Sequence, residues 1–170
     1  MKIRQANLTD LEAITAIYNS AIPGRMATAD LVPVTLESRK KWFAEHSPAR
    51  PIWVAEDDGV VMGWLSLQAI YNRPAYHATA EVSVYISEAY RRRGVGRQLL
   101  EYAVNQCPRL QIRNLLALIF GHNQASIALV EQVGFQRWGL LPGVTELDGV
   151  ERDVVIYGLK LPHAAECERA

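Results

Sequence analysis

With 170 residues, 49% of them hydrophobic and 21% charged, the chain has the composition of one globular domain with its own core. Eighteen basic residues balance eighteen acidic ones, which excludes a general nucleic-acid binder with a basic face. No apolar run is long enough to cross a bilayer. The start, Met1-Lys2-Ile3-Arg4, does not read as a signal peptide. Cys107 and Cys167 lie far apart, and His46, His77, His122 and His163 show no paired spacing, so no metal site is expected. These features predict a cytoplasmic, reduced protein, with Cys107 a packed thiol.

Ile3-Arg4-Gln5 reads as a first strand. Thr9-Asp10-Leu11-Glu12 reads as a capping box, with Thr9 as cap and Glu12 reaching back. Leu11, Ile14, Ile17 and Tyr18 follow at helical spacing. Residues Asn19 to Pro33 are irregular and predict a loop on the acceptor side of a site. Thr35 caps a second helix that runs to about His46, with Trp42 and Phe43 on its buried side. Ile52–Glu56 and Val60–Leu67 are strands joined by the hairpin turn Asp57-Asp58-Gly59. Asn72-Arg73-Pro74 breaks the pattern, and His77–Ile86 reads as a central strand. Gln98–Cys107 is a helix closed by Pro108. Leu115–Phe120 is a strand apolar enough to be buried on both faces. Gln124–Gln132 is a helix ended by Gly134. Gln136–Leu141 and Val150–Leu161 are late strands, linked by a segment from Pro142-Gly143 to Asp148-Gly149. The order predicts an α/β fold with one mixed, twisted sheet, a domain over 1–162 and a frayed tail over 163–170.

The stretch Arg91-Arg92-Arg93-Gly94-Val95-Gly96-Arg97 lies between the central strand and a helix. The first N–H groups of a helix have no internal partner, and the helix dipole favours negative charge there. Glycines admit a phosphate close to the backbone, and arginines add charge-assisted hydrogen bonds. A Rossmann turn is excluded because Leu99 stands at its third glycine, and a Walker A loop because Arg97 and Gln98 follow Gly96. What remains is Arg/Gln-x-x-Gly-x-Gly/Ala, on Arg91, Gly94 and Gly96. This resembles the pyrophosphate loop of the GNAT acetyltransferase superfamily. Further motifs are similar to its phosphinothricin and methionine sulfoximine N-acetyltransferase subgroup: Ile17-Tyr18-Asn19, Arg39-Lys40-Lys41-Trp42-Phe43, Thr79 to Ile86, and His122-Asn123-Gln124-Ala125-Ser126 with Gly134-Phe135. The likeness runs from about Ile3 to Leu161.

The resemblance implies a single-domain GNAT fold with a β-bulge and splayed central strands. It implies acetyl-CoA as cosubstrate, no metal, a small amino-acid-like amine as acceptor, and a homodimer. Acetyl transfer needs a held thioester, a stabilised oxyanion and a proton acceptor. A thiolate with a free pKa near ~8.5 leaves with little help. By resemblance, main-chain N–H groups of Val84, Tyr85 and Ile86 face acetyl-CoA, and Arg91, Arg92, Arg93, Gly94, Val95, Gly96 and Arg97 hold its diphosphate. Asn123 would meet the pantetheine arm, with Ser126 beside it, and Asn123 also suits a helix N-cap. Glu81 is the candidate base: a carboxylate on an apolar strand is costly unless partnered, and burial raises its pKa. Arg73 stands where relatives keep an acceptor-binding arginine, and Val82 and Ser83 complete the acceptor side.

Three departures bear on the chemistry. Where many GNAT enzymes place a tyrosine as general acid, this chain has Val130, which leaves unassisted departure or help from Tyr85 or Tyr157. Glu81-Val82-Ser83 replaces Glu-His-Ser, and Arg152 stands before Asp153 where phosphinothricin acetyltransferases have histidine. His77 reads as a surface histidine or a second proton carrier. Trp42 and Trp53 read as core, and Trp64 and Trp138 as lining the acceptor side. Two other readings remain: an acetyltransferase acting on a protein N-terminus or lysine, and a non-catalytic acyl-CoA sensor.

Overall fold

The structure, a computed structural model, describes residues 1–162. The predicted tail, with His163 and Cys167, lies outside them. Seven strands form one sheet in the order β1-β2-β3-β4-β5-β7-β6. They are β1 (Lys2–Gln5), β2 (Ile52–Asp57), β3 (Val60–Ala69), β4 (Thr79–Ile86), β5 (Asn114–Phe120), β6 (Gln136–Leu147) and β7 (Val150–Lys160). The helices are α1 (Leu11–Ala21), α2 (Leu36–Ala44), α3 (Val95–Gln106) and α4 (Gln124–Gln132). All strand pairs are antiparallel except β4 with β5.

Strand alternation sorts the core into two layers. Ile52, Val54 and Trp64 meet Ile14, Ile17 and Tyr18 of α1. Trp53, Ala55, Leu65, Leu67 and Val82 point the other way, to Leu99, Leu100 and Ala103 of α3 and Val130 of α4. Cys107 is fully buried in that second layer, and burial pushes its thiol up to about 12, so it is a packed, unreactive group.

Several expected boundaries move. The N-terminal cap is Asn7, whose side chain accepts from the Thr9 N–H, while Asp10 accepts from the Asn7 N–H. A 3-10 turn over Leu8–Asp10 then leads into α1, so the box sits two residues before Thr9. Arg4 donates to both Asp10 oxygens at 2.7 Å, which holds that carboxyl below its ordinary range despite burial. The α3 helix starts at Val95 rather than Gln98, with Gly94 as cap at φ +79°. β4 starts at Thr79, after a 3-10 turn over Pro74–Tyr76. The segment Pro142–Gly149 is not a loop: β6 runs through to Leu147, and Asp148-Gly149 alone turns the hairpin, both at positive φ. Its irregularity survives as a register shift between Leu141 and Thr145, where the Gly143 N–H donates to Asp153 at 2.8 Å.

β5 is not buried on both faces, because Leu118 is 48% exposed. The cause is the feature that makes the site. Parallel pairing of β4 with β5 stops after Thr79↔Asn114, Ala80↔Leu115 and Glu81↔Leu116, although β4 continues to Ile86 and β5 to Phe120. The strands part beyond Glu81 and Leu116.

Candidate active site

The parted strands enclose a cavity of about 310 Å³. Glu81 to Tyr85 line one wall and Ala117 to Phe120 the other. Leu129 and Val130 of α4 and Met26 to Ala29 are also part of its lining. The expected bulge is not seen in β4 against β3, where the register is unbroken from Gly63↔Ile86 to Ala69↔Ala80; register shifts occur instead between β2 and β3 at Ala55/Glu56 and between β6 and β7. The Ser87 N–H donates to the Met62 carbonyl at 2.9 Å. By the two-residue alternation of an antiparallel ladder, Tyr85 exchanges bonds with Trp64, while the N–H groups of Val84 and Ile86 face the side that β5 has left. Val84 and Ile86 are therefore the available donors of the expected trio, and Tyr85 is not.

Glu81 is half-buried in the cavity wall, and desolvation raises its pKa above the ordinary carboxylate value. Among the described residues it forms no ion pair. A carboxylate so placed takes a proton more readily than a solvated one. Val82 and Ser83 also line the cavity. Arg73 does not: it is exposed, before the 3-10 turn, outside the cavity wall. The excursion of residues 70–78 away from the sheet carries it there. His77 is likewise exposed, its Nδ1 2.9 Å from the Pro74 carbonyl.

Val130 is buried and offers no proton. Both tyrosine hydroxyls are engaged by other groups. The Tyr157 hydroxyl donates to Glu131 at 2.7 Å, in a separate concavity between α4 and the β6–β7 ribbon. The Tyr85 hydroxyl donates to the Ala27 carbonyl at 3.0 Å, and burial raises its pKa far above the ordinary value. Trp64 is core, donating to the Ile14 carbonyl at 3.1 Å, and Trp138 lies exposed on β6 against Gly158.

The basic turn lies at the start of α3. Arg91, Arg92 and Arg93 are exposed, with Arg93 5.4 Å from the Tyr90 ring centroid. Arg97 is already inside the helix and pairs with Glu101 at 2.7 Å, so part of its charge is engaged. Val95 is buried and packs in the α3 layer. Gly96 is buried too. A Cβ there would come within 3.1 Å of Leu129 and 3.6 Å of Ile86, so this glycine lets α3 approach α4 and the end of β4. Gly94 supplies the left-handed turn.

Asn123 is buried, and both of its amide atoms bond to the protein. Its Oδ1 accepts the Ser126 N–H at 3.1 Å, capping α4, and its Nδ2 donates to the Met26 carbonyl at 2.6 Å. It lines the cavity together with Ser126. The sequence did not reveal the second of these bonds. Other anchors of the 22–34 segment were also missed. Arg25 pairs with Asp148 at 2.8 Å, and the His122 Nε2–H donates to the Arg25 carbonyl at 2.8 Å. Asn19 exchanges bonds with the Val34 backbone at 2.9 and 3.0 Å. A loop with two prolines and a glycine gives no sequence signal for such long-range partners. Asn123→Ala is expected to lose about 1–3 kcal/mol, from the cap and the orphaned Met26 carbonyl, read as a lower urea midpoint.

The chain thus combines a parted sheet, a helix preceded by a basic glycine turn, and one half-buried carboxylate in a cavity wall. The model of the Acetyltransferase (GNAT) family matches residues 12–135, and the chain belongs to that family. The chain is 52% identical over 162 residues to a Bacillus subtilis protein named "Putative phosphinothricin acetyltransferase YwnH", covering 95% of this chain and 99% of that one. It is 34% identical to an L-methionine sulfoximine/L-methionine sulfone acetyltransferase of Pseudomonas aeruginosa, covering 94% of each. A Sinorhizobium meliloti phosphinothricin acetyltransferase, crystallised in complex with acetyl-CoA, superposes with a TM-score of 0.90 at 31% identity, covering 96% and 90%. Family membership makes the chain an N-acetyltransferase and sets the non-catalytic sensor aside. Among the described residues no helix is long and apolar enough to cross a membrane.

Proposed function

We propose that the protein transfers the acetyl group of acetyl-CoA to the primary amine of a small amino-acid-like acceptor by direct attack on the thioester. The observation that carries this reading is the cavity at the parting of β4 and β5, with Glu81 in its wall. The residues present suit an acetyl-CoA substrate. Val84 and Ile86 present N–H groups at the parting, Gly96 lets α3 approach Leu129 and Ile86 closely, and the turn before α3 carries Arg91 and Arg92. In this mechanism a main-chain N–H of β4 stabilises the oxyanion, Glu81 takes the amine proton directly or through water, and the thiolate departs unassisted past Val130. Arg73 enters as an acceptor contact only if the 70–78 segment folds inward. The relatives' names support an amino-acid-like acceptor.

The same resemblance supports a homodimer, and β6, an edge strand, exposes Trp138, Leu140, Leu141 and Val144. Detection of free coenzyme A with Ellman's reagent, across amino acids, sulfoximines and phosphinates, tests the acceptor class. Turnover of peptides alone would replace it with the protein-directed reading. Arg91→Ala with Arg92→Ala is expected to weaken acetyl-CoA binding about tenfold and to flatten its salt dependence, measured by calorimetry.

A further inference from the structure

Arg39 is the buried charge of α2, 8% exposed, whereas Glu37, Lys40 and Lys41 of the same helix face solvent. Its guanidinium carbon lies 3.7 Å from the Tyr18 ring centroid and 4.5 Å from that of Trp42. Nε and Nη2 have no hydrogen-bond partner among the described residues, and Arg39 joins none of their ion pairs. Taking a guanidinium out of water without a carboxylate is costly, and aromatic faces return only part of that cost. A helix position that served packing alone would be better filled by leucine or methionine.

What the cation touches leads to the cavity. The Tyr18 and Tyr85 ring centroids are 5.0 Å apart, and Tyr85 stacks on Trp64 at 4.7 Å and 25°. The Tyr18 hydroxyl donates to Asp30 at 2.5 Å and lies 2.5 Å from the Thr28 hydroxyl. The Tyr85 hydroxyl holds the Ala27 carbonyl. Ala27, Thr28 and Ala29 form the cavity's outer wall. Two tyrosines thus grip this strap by their hydroxyls, and Arg39 fixes the ring that starts the chain of contacts.

We infer that Arg39 is a positioning residue for acyl transfer: clamped on the Tyr18 face, it sets the tyrosine hydroxyls that hold residues 27–30 across the parted strands, and so sets the width of the acceptor side. What the cavity admits rests on the acetyl-transfer reading above; the clamp does not.

Arg39→Met and Arg39→Lys test it in the full chain. In Arg39→Met, amide hydrogen exchange over residues 27–30 rises about tenfold while α3 and β5 are unchanged, a readout that needs no substrate. The ratio of kcat/KM for a small against a bulky acceptor shifts about fivefold, with acetyl-CoA Kd within about twofold of the parent. Arg39→Lys, which keeps a cation over the ring, recovers most of both effects. Unchanged exchange overturns the proposal, and so does a uniform loss of activity on every acceptor together with a fall in Tm. If Arg39→Met does not fold, Tyr18→Phe decides: it keeps the ring and deletes the hydroxyl, and must loosen residues 27–30 in the same way or the proposal falls. Looser exchange with no turnover of any amine would leave the clamp standing and remove the acetyl-transfer reading instead.

Discussion

Glu81→Gln is expected to lower kcat about 10²- to 10⁴-fold, the usual contribution of a positioned general base, with acetyl-CoA binding unchanged by calorimetry. The amide keeps the shape of the side chain and removes only its ability to take a proton. In the parent enzyme the acidic limb of kcat/KM against pH lies above the ordinary glutamate range, because desolvation raises the Glu81 pKa, and activity climbs as pH rises through that raised value. Stability runs the other way. The folded state holds the Glu81 proton more tightly than the unfolded chain, so this group's contribution is full below the unfolded pKa and is lost as pH rises through the folded one. Glu81→Gln should therefore raise Tm at pH 7 and leave it nearly unchanged at pH 4. A variant that turns over at the parent rate would remove Glu81 from the mechanism.

Gly96→Val should be the most damaging single change to donor binding. Its Cβ alone would sit 3.1 Å from Leu129 and 3.6 Å from Ile86, and two further methyls add to that crowding. Overpacking of this kind costs about 1–3 kcal/mol of stability. The larger expected loss is functional: crowding against Leu129 is expected to displace α3 from α4 and to carry its first-turn N–H groups with it. Losing two charge-assisted bonds to an anion, each worth about 1.5–3 kcal/mol, weakens binding about 10²-fold or more. Calorimetric titration with acetyl-CoA measures it, and near-parent affinity would show that the helix start does not grip the donor. Gly94→Ala is a milder control, strained by its positive φ but meeting only an ordinary contact with the Gln98 side chain at 3.6 Å.

The element order was legible because each element carries its own period. Ile14, Ile17 and Tyr18 recur at helical spacing, and strand alternation divides Trp53 from Val54. The turn chemistry of Asp58-Gly59 and the N-cap chemistry of Thr35 and Asn123 are local, and the structure keeps them. Pro142-Gly143 misled for the same reason: they signal a break, but β7 holds β6 straight through them by pairing on both sides of the shift. Glu81 in the cavity wall followed from its apolar strand neighbours, whereas Val82 and Ser83 followed from the family resemblance. Arg73 did not follow, because whether a loop folds toward a site depends on contacts no local pattern records. Arg39 was visible only as part of a motif, since its burial arises from Tyr18 and Trp42, one of them on another helix.

Only three residue pairs join β4 to β5, so the sheet is two half-sheets sharing a short seam. Beyond that seam the facing backbone of β4 and β5 is not paired strand to strand among the described residues, and a bound thioester arm would supply what a strand otherwise would. The donor then acts as mortar as well as reactant. Ligand-linked stabilisation grows with occupancy, and here it should concentrate along one line, protecting the backbone on both banks of the gap while the outer strands β1 and β6 stay indifferent. An enzyme built this way is least cohesive when it has nothing to transfer, and most cohesive when its donor is in place.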